Sequence, residues 1–172
     1  MEFFEVVRTR RSIRVFDGRP VEEEKIRAIL EAANAAPSAG NLQAYEIYLV
    51  KDPIARERLA SMPPRMEFFS VVPLVLVFCA NPARSEVRYA ERGKKLYALQ
   101  DATIACTHAM LAATALGLAS VWVGAFRERE VSTALNLPEA LTPVALLPVG
   151  YPLETVESRT RRPLNEIVHP VK

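Results

Sequence analysis

The sequence predicts a mixed α+β or α/β domain in which strands are separated by helices. Residues 73–80 (PLVLVFCA) form a continuous β-branched and aromatic run, the pattern of a strand buried on both faces. Residues 144–149 form a second buried run that ends at Gly150. Residues 22–36 and 96–118 carry helical patterns able to cover such a sheet. At 172 residues the chain suits one domain, 1–172, with no repeat, low-complexity tract or Gly/Ser linker to divide it. A chain of that size buries roughly 70% of its unfolded surface, enough for a core without disulfide or metal staples.

Taken in order, residues 2–9 predict a short helix with Phe3, Phe4, Val6 and Val7 as its apolar side. Residues 10–16 are an extended basic stretch, and Asp17-Gly18 with Pro20 marks a turn. Residues 22–36 are amphipathic, with Ile26, Ile29, Leu30 and Ala33 at helical spacing and a Glu-rich first turn at the positive end of the dipole. Pro37 ends that helix, and residues 38–41 read as a polar loop. Tyr45–Val50 alternates as a strand, Pro53 opens a helix to about Ser61, and Pro63-Pro64 breaks the chain. After the 73–80 strand, residues 81–95 read as a charged connector. The long apolar helix 96–118 follows, closed by Gly117 in a C′ position. A strand at 120–123, a short helix Glu128–Leu135 and the 144–149 strand complete the pattern. From Tyr151 the chain is polar and Pro-punctuated, an arm rather than a core element.

The 96–118 helix is apolar around most of its girth, with small residues that allow close helix approach. Either its own sheet and helices surround it, or a second subunit covers part of it, with Ala109 and Ala113 expected on that side. A membrane span is disfavoured, because the segment is rich in Ala and Thr and contains Gln100, Asp101 and His108. The N-terminus places an acid early and has no long apolar core, so a secretory signal is not expected.

Composition narrows the function. Half the residues are hydrophobic and 24% are charged, a globular balance. The net charge is +2 with both signs interspersed, which gives no electrostatic case for nucleic acid. Cys79 and Cys106 lie in apolar runs without metal-ligand spacing, and only His108 and His169 could join them. A metal site is therefore not expected, and free buried thiols fit a reducing, cytoplasmic compartment. There is no GxSxG, HExxH, P-loop or GxGxxG motif.

Three elements can carry chemistry. Arg10, Ser12 and Arg14 alternate and would project from one side of an extended strand, two guanidinium forks and a hydroxyl suited to a dianionic phosphate or an electron-rich ring edge. Arg159 and Arg161 form a distant second basic cluster, and residues 37–43 offer Ser, Asn and Gln on a tight loop. Each alone is as readily a solvated stretch or a connector.

Together, RRSIRVF near the N-terminus, APSAGNLQAYEIYLV, LAATALGLASVWVGAF and a closing RRPLNEIV resemble the nitroreductase family of flavoproteins, in order and along essentially the whole chain. The resemblance implies an α+β three-layer fold, with a central mixed, mainly antiparallel sheet flanked by helices. It further implies a homodimer with a long central interface helix and FMN held at the subunit interface. Electrons would pass from NAD(P)H through the flavin to a small-molecule acceptor, electron-poor, nitroaromatic or quinone-like. Carried over by residue, Arg10, Arg11 and Ser12 match positions on the FMN phosphate and ribityl chain. Arg14 matches the basic residue beside the flavin pyrimidine, and Arg159 and Arg161 the C-terminal pair on the phosphate. Val123, Gly124 and Ala125 match the strand-end loop beside the flavin N5, with Gly124 allowing close approach. Pro37, Ser38, Ala39 and Asn41 match a loop that reaches the flavin from the other subunit. No side chain is expected as a catalytic nucleophile or acid; Arg14 and Gly124 would tune the flavin. Ala44-Tyr45 stands where many relatives have Pro-Trp, and no polar partner for the pyrimidine edge is assigned near 65–69. Reductive dehalogenation, substrate dehydrogenation or flavin storage on the same fold are the alternatives.

Overall fold

The computed structural model describes residues 1–62 and 66–171, so the expected Pro63-Pro64 break lies outside the described residues. In chain order the elements are α1 (Phe3–Thr9), α2 (Glu23–Asn34), β1 (Tyr45–Val50), α3 (Pro53–Ser61), α4 (Phe68–Val71), β2 (Leu74–Ala80), α5 (Pro82–Arg92), α6 (Ala98–Ala115), β3 (Ala119–Ser120), α7 (Glu128–Leu135) and β4 (Thr142–Gly150). Short 3₁₀ turns occupy Ala39–Asn41 and Leu164–Glu166, and a π-helical turn, Gly93–Tyr97, leads into α6.

The sheet order is β1-β2-β4-β3, with every strand pair antiparallel. Every residue of β2 is buried, because its side chains alternate between two cores. Leu74, Leu76 and Phe78 pack with Ile26, Ile29 and Ala33 of α2 and with the Ala-rich face of α6. Val75, Val77 and Cys79 pack on the opposite side with Leu59 of α3, Phe69 of α4 and Val131 of α7. These are the three layers, helix–sheet–helix, that the resemblance implied. A parallel bridge from Ser12 to Ser120 adds the basic N-terminal stretch at the β3 edge and makes the ladder mixed.

Several boundaries differ from expectation for identifiable reasons. The 120–123 strand is only the pair Ala119–Ser120, yet Val123 still bridges Leu146 in the same register. That register sets Pro148, which has no N–H, opposite Val121, so the ladder lapses between. The 81–95 connector is largely helical: Asn81 caps α5 by accepting from the Arg84 N–H at 3.4 Å, and Pro82 fills its first turn. α6 starts at Ala98 because residues 93–97 take the π turn. It ends as expected in a Schellman motif, with Gly117 at φ +74°, its N–H on the Thr114 carbonyl at 3.1 Å and the Leu118 N–H on Ala113 at 2.9 Å.

Two surface expectations are corrected. Only Val6 of α1 is buried; Phe3, Phe4 and Val7 face out, Phe4 at 76% exposure. On α6, Ala109 and Ala113 are both fully buried against the chain's own sheet rather than turned outward. The opposite face carries Gln100, Thr103, Thr107 and Thr114, none fully buried. The arm is exposed from Leu153 on save for partial cover at Glu154 and Val156, and its start is fixed: Pro152 bridges Phe16, and the Leu153 N–H donates to the Val15 carbonyl at 2.9 Å. The Tyr151 hydroxyl donates to the Glu22 carboxylate at 2.6 Å, which holds that carboxyl down at about 2.

Candidate cofactor site

The basic stretch 10–16 is laid along the sheet edge by its apolar residues. Ile13 and Phe16 are buried in the core, and the Ile13 N–H donates to the Ser120 carbonyl at 3.1 Å. Glu154 fixes the other side: its Oε1 accepts the N–H of Arg14 at 2.6 Å and of Val15 at 3.1 Å. With the backbone held on both sides, Arg10, Arg11, Ser12 and Arg14 turn into a cleft of about 590 Å³. The first residues of the arm complete that cleft with Ser158, Arg159 and Arg161. Two Arg clusters about 150 positions apart in sequence thus share one cavity.

The cleft is electrostatically unsatisfied. Among the described residues, none of Arg10, Arg14, Arg159 or Arg161 forms an ion pair. Glu157 is the cleft's only acidic lining residue. Partial burial, then the neighbouring Arg161 and Arg11 guanidinium groups, pull the Arg10 pKa below its ordinary value. A multiply charged anion would relieve that repulsion. Arg11 differs from the others: its Nη1 donates to the carbonyls of Arg8 at 2.8 Å and Arg10 at 2.9 Å, while its buried Nε has no acceptor among the described residues. One buried donor therefore still lacks a partner at the cleft. On its far side Arg14 also borders a second cavity of about 430 Å³, with Phe16, Met66, Glu67 and Phe68.

The loop 37–44 is built elsewhere on the chain. Gly40, Asn41 and Gln43 all have positive φ, at 57°, 58° and 43°. The Gln43 N–H donates to Ser38 Oγ and the Asn41 N–H to the Ser38 carbonyl, both at 3.0 Å. Buried Asp101 of α6 accepts the Ala39 N–H at 3.0 Å on one oxygen and the Ala44 N–H at 3.2 Å on the other. Asp101 is thus a backbone anchor for this loop. Pro37, Ser38 and Ala39 line a separate concavity of about 560 Å³ with Tyr97, Leu99 and Ile104. Within one chain they do not join the Arg cleft. Ala44 and Tyr45 are core residues, and the Tyr45 hydroxyl donates to the Ala33 carbonyl at 3.2 Å. Burial, then the Asp101 charge, raises the Tyr45 pKa.

Val123 is buried at its bridge to Leu146, whereas Gly124 and Ala125 are exposed beyond the strand end. None of the three lines the Arg cleft. A Cβ on Gly124 would approach the Trp122 indole nitrogen to 3.3 Å, a tight but adjustable contact. The anchoring carboxylates Glu154 and Asp101 and the arginines of α5 were not singled out as site residues from the sequence. Asn81-Pro82, which matches the Asp52-Pro53 start of α3, was the available signal for α5. For Glu154 there was none, since it is one acid among several in a polar tail. Among the described residues no group of three or more His, Cys, Asp or Glu can hold a metal ion.

Fold and cleft together define a three-layer α+β domain with an arginine-lined cleft at its sheet edge. The nitroreductase family model matches residues 7–64 and 60–151, and the chain belongs to that family. It is 35% identical over 158 residues to a protein of Archaeoglobus fulgidus named provisionally as an NADH dehydrogenase/NAD(P)H nitroreductase, covering 88% of this chain and 86% of that one. It is 29% identical to the FMN reductase [NAD(P)H] of Bacillus subtilis, covering 92% of this chain and 69% of the relative. The crystal structure of nitroreductase A from Vibrio parahaemolyticus superposes with a TM-score of 0.90 at 27% identity, over 100% of this chain and 77% of that one.

Proposed function

We propose that this chain is an FMN-dependent oxidoreductase that takes electrons from NAD(P)H and delivers them to a small electron-poor acceptor such as a nitroaromatic or quinone. The observation that carries the reading is the joining of Arg10 and Arg14 with Arg159 and Arg161 in one cleft, with none of the four in an ion pair among the described residues. The residues present fit FMN: four guanidinium groups, the Ser12 hydroxyl and the unpartnered Arg11 Nε suit a terminal phosphate and a hydroxylated chain. No Gly-rich dinucleotide fingerprint provides for an adenylate half, which favours FMN over FAD. Bound there, FMN would supply hydride and electron-transfer chemistry between a nicotinamide and an acceptor.

The chain's own residues bind, orient and tune. Arg10, Arg159 and Arg161 hold the phosphate, with Arg11 and Ser12 alongside. Arg14, fixed through its backbone by Glu154, offers a cation where negative charge builds on the ring. Gly124 and Ala125 present exposed backbone at the strand end for the ring's reacting edge. Pro37, Ser38, Ala39 and Asn41 complete the site from a second copy, which agrees with their separation from the Arg cleft in one chain. The uncovered Phe3, Phe4 and Val7 and the exposed arm supply surface for that copy. Residues 1–172 act as one unit. Among the described residues no helix is long and apolar enough to cross a membrane. Both cysteines are free and buried, Cys79 pushed up to about 12 by burial, which suits the reducing cytoplasm.

The test is anaerobic addition of NADH or NADPH to the purified holoprotein. The flavin absorption should bleach with either or both, and a nitroaromatic or quinone should restore it. A flavin that stays oxidised with both nucleotides would reduce the protein to a flavin carrier.

A further inference from the structure

We propose that Asp101, Arg84 and Arg88 are positioning residues that clamp the 37–44 loop in the shape required to complete the flavin site. This inference rests on the FMN reading above. The loop cannot satisfy its own backbone. Its internal bonds use the N–H groups of Asn41, Leu42 and Gln43. Those of Ala39 and Ala44, and the carbonyls of Gly40 and Leu42, find their partners in charged side chains from two other helices. Asp101 takes the two N–H groups from one side. From α5, Arg84 donates to the Leu42 carbonyl through Nη2 at 3.0 Å and Nε at 3.2 Å, and Arg88 donates to the Gly40 carbonyl at 3.3 Å.

The clamp is tight at the loop tip. A Cβ on Gly40 would lie 2.6 Å from the Tyr89 hydroxyl and 2.7 Å from Arg88 Nη1. Asn41 and Gln43 hold positive φ without being glycine, a conformation that persists only where surrounding contacts over-determine it. Asp101 is 2% exposed, and among the described residues no Lys or Arg lies within ion-pair distance of it. A buried charge is a poor means of stabilising a core, since an apolar residue of similar volume serves as well or better. Its hydrogen-bond partners are the two loop amides, so what Asp101 secures is loop shape. Arg84 and Arg88 are exposed and fill no part of the core, so their removal leaves the fold standing.

The experiment compares purified holoproteins: the double variant Arg84→Ala/Arg88→Ala, Asp101→Asn, the conservative Arg84→Lys, and Arg58→Ala as a charge-loss control at an exposed position of α3, across the sheet from the loop. FMN retained on dilution is followed by its fluorescence, with the visible circular dichroism of the bound flavin and the thermal midpoint alongside. The double variant should release FMN about tenfold or more readily, with altered flavin dichroism and an unchanged fold, as expected for losing charge-assisted bonds. Arg84→Lys should recover part of the loss, and Arg58→Ala should match the parent. Asp101→Asn sets an amide NH₂ against one loop N–H and should weaken FMN in the same direction; if it fails to fold, the arginine variants decide. Unchanged FMN affinity and dichroism in the double variant, against a parent that binds FMN, would overturn the clamp alone. A parent that binds no FMN would overturn the cofactor reading, and the clamp's role with it.

Discussion

Arg10 and Arg161 come from opposite ends of the chain, and the Arg161 guanidinium, after partial burial, helps to lower the Arg10 pKa. For the chain alone their proximity is a cost; around a dianion it becomes the source of affinity. Arg10→Ala and Arg161→Ala should therefore each weaken FMN binding by about 1.5–3 kcal/mol, the range for a charge-assisted contact, without unfolding the chain. Fluorescence titration of each variant with FMN checks this, and unchanged affinity in both would remove the phosphate site. At this scale the sequence was informative where function depends on side-chain type: RRSIR and RTR announced a cation cluster. It was silent on Glu154 and on the Arg84 and Arg88 contacts, because backbone anchoring by a side chain 40 to 140 positions away has no local pattern.

Among the elements, β2, α2 and α7 were legible within a residue or two, because buried runs and helical periodicity are properties of a single segment. The failures share another cause. α5 is mostly charged and its short apolar stripe, Ala83, Val87 and Ala90, faces out, so the segment read as a connector although Asn81-Pro82 marked its start. α6 was apolar nearly all round, and periodicity could not say which side its own sheet would claim. The structure gives Ala109 and Ala113 to the chain's own core. Ala109→Glu should accordingly unfold the protein, since it places a carboxylate where no partner exists. Thr107→Glu, on the opposite face, should leave the monomer folded and weaken self-association. Circular dichroism and sedimentation of the two variants distinguish these outcomes; a folded Ala109→Glu protein would contradict the assigned packing.

For the whole molecule, strands alternating with helices indicated only a mixed α+β or α/β domain; the three layers and the mainly antiparallel sheet came from the family resemblance, and the strand order β1-β2-β4-β3 from neither. Composition and spacing left α+β and α/β open, and only the family resemblance chose between them. The division of the site is likewise a property of the assembly. One chain supplies an Arg cleft and, elsewhere, a clamped loop, and the account unites them only across two copies. Sedimentation velocity over a range of protein concentrations, read at both protein and flavin absorption, tests that union most directly. The account predicts that FMN travels with the dimer at one per chain and is lost in step with dissociation, because ligand binding and association are linked. A folded monomer that retains stoichiometric FMN would contradict it.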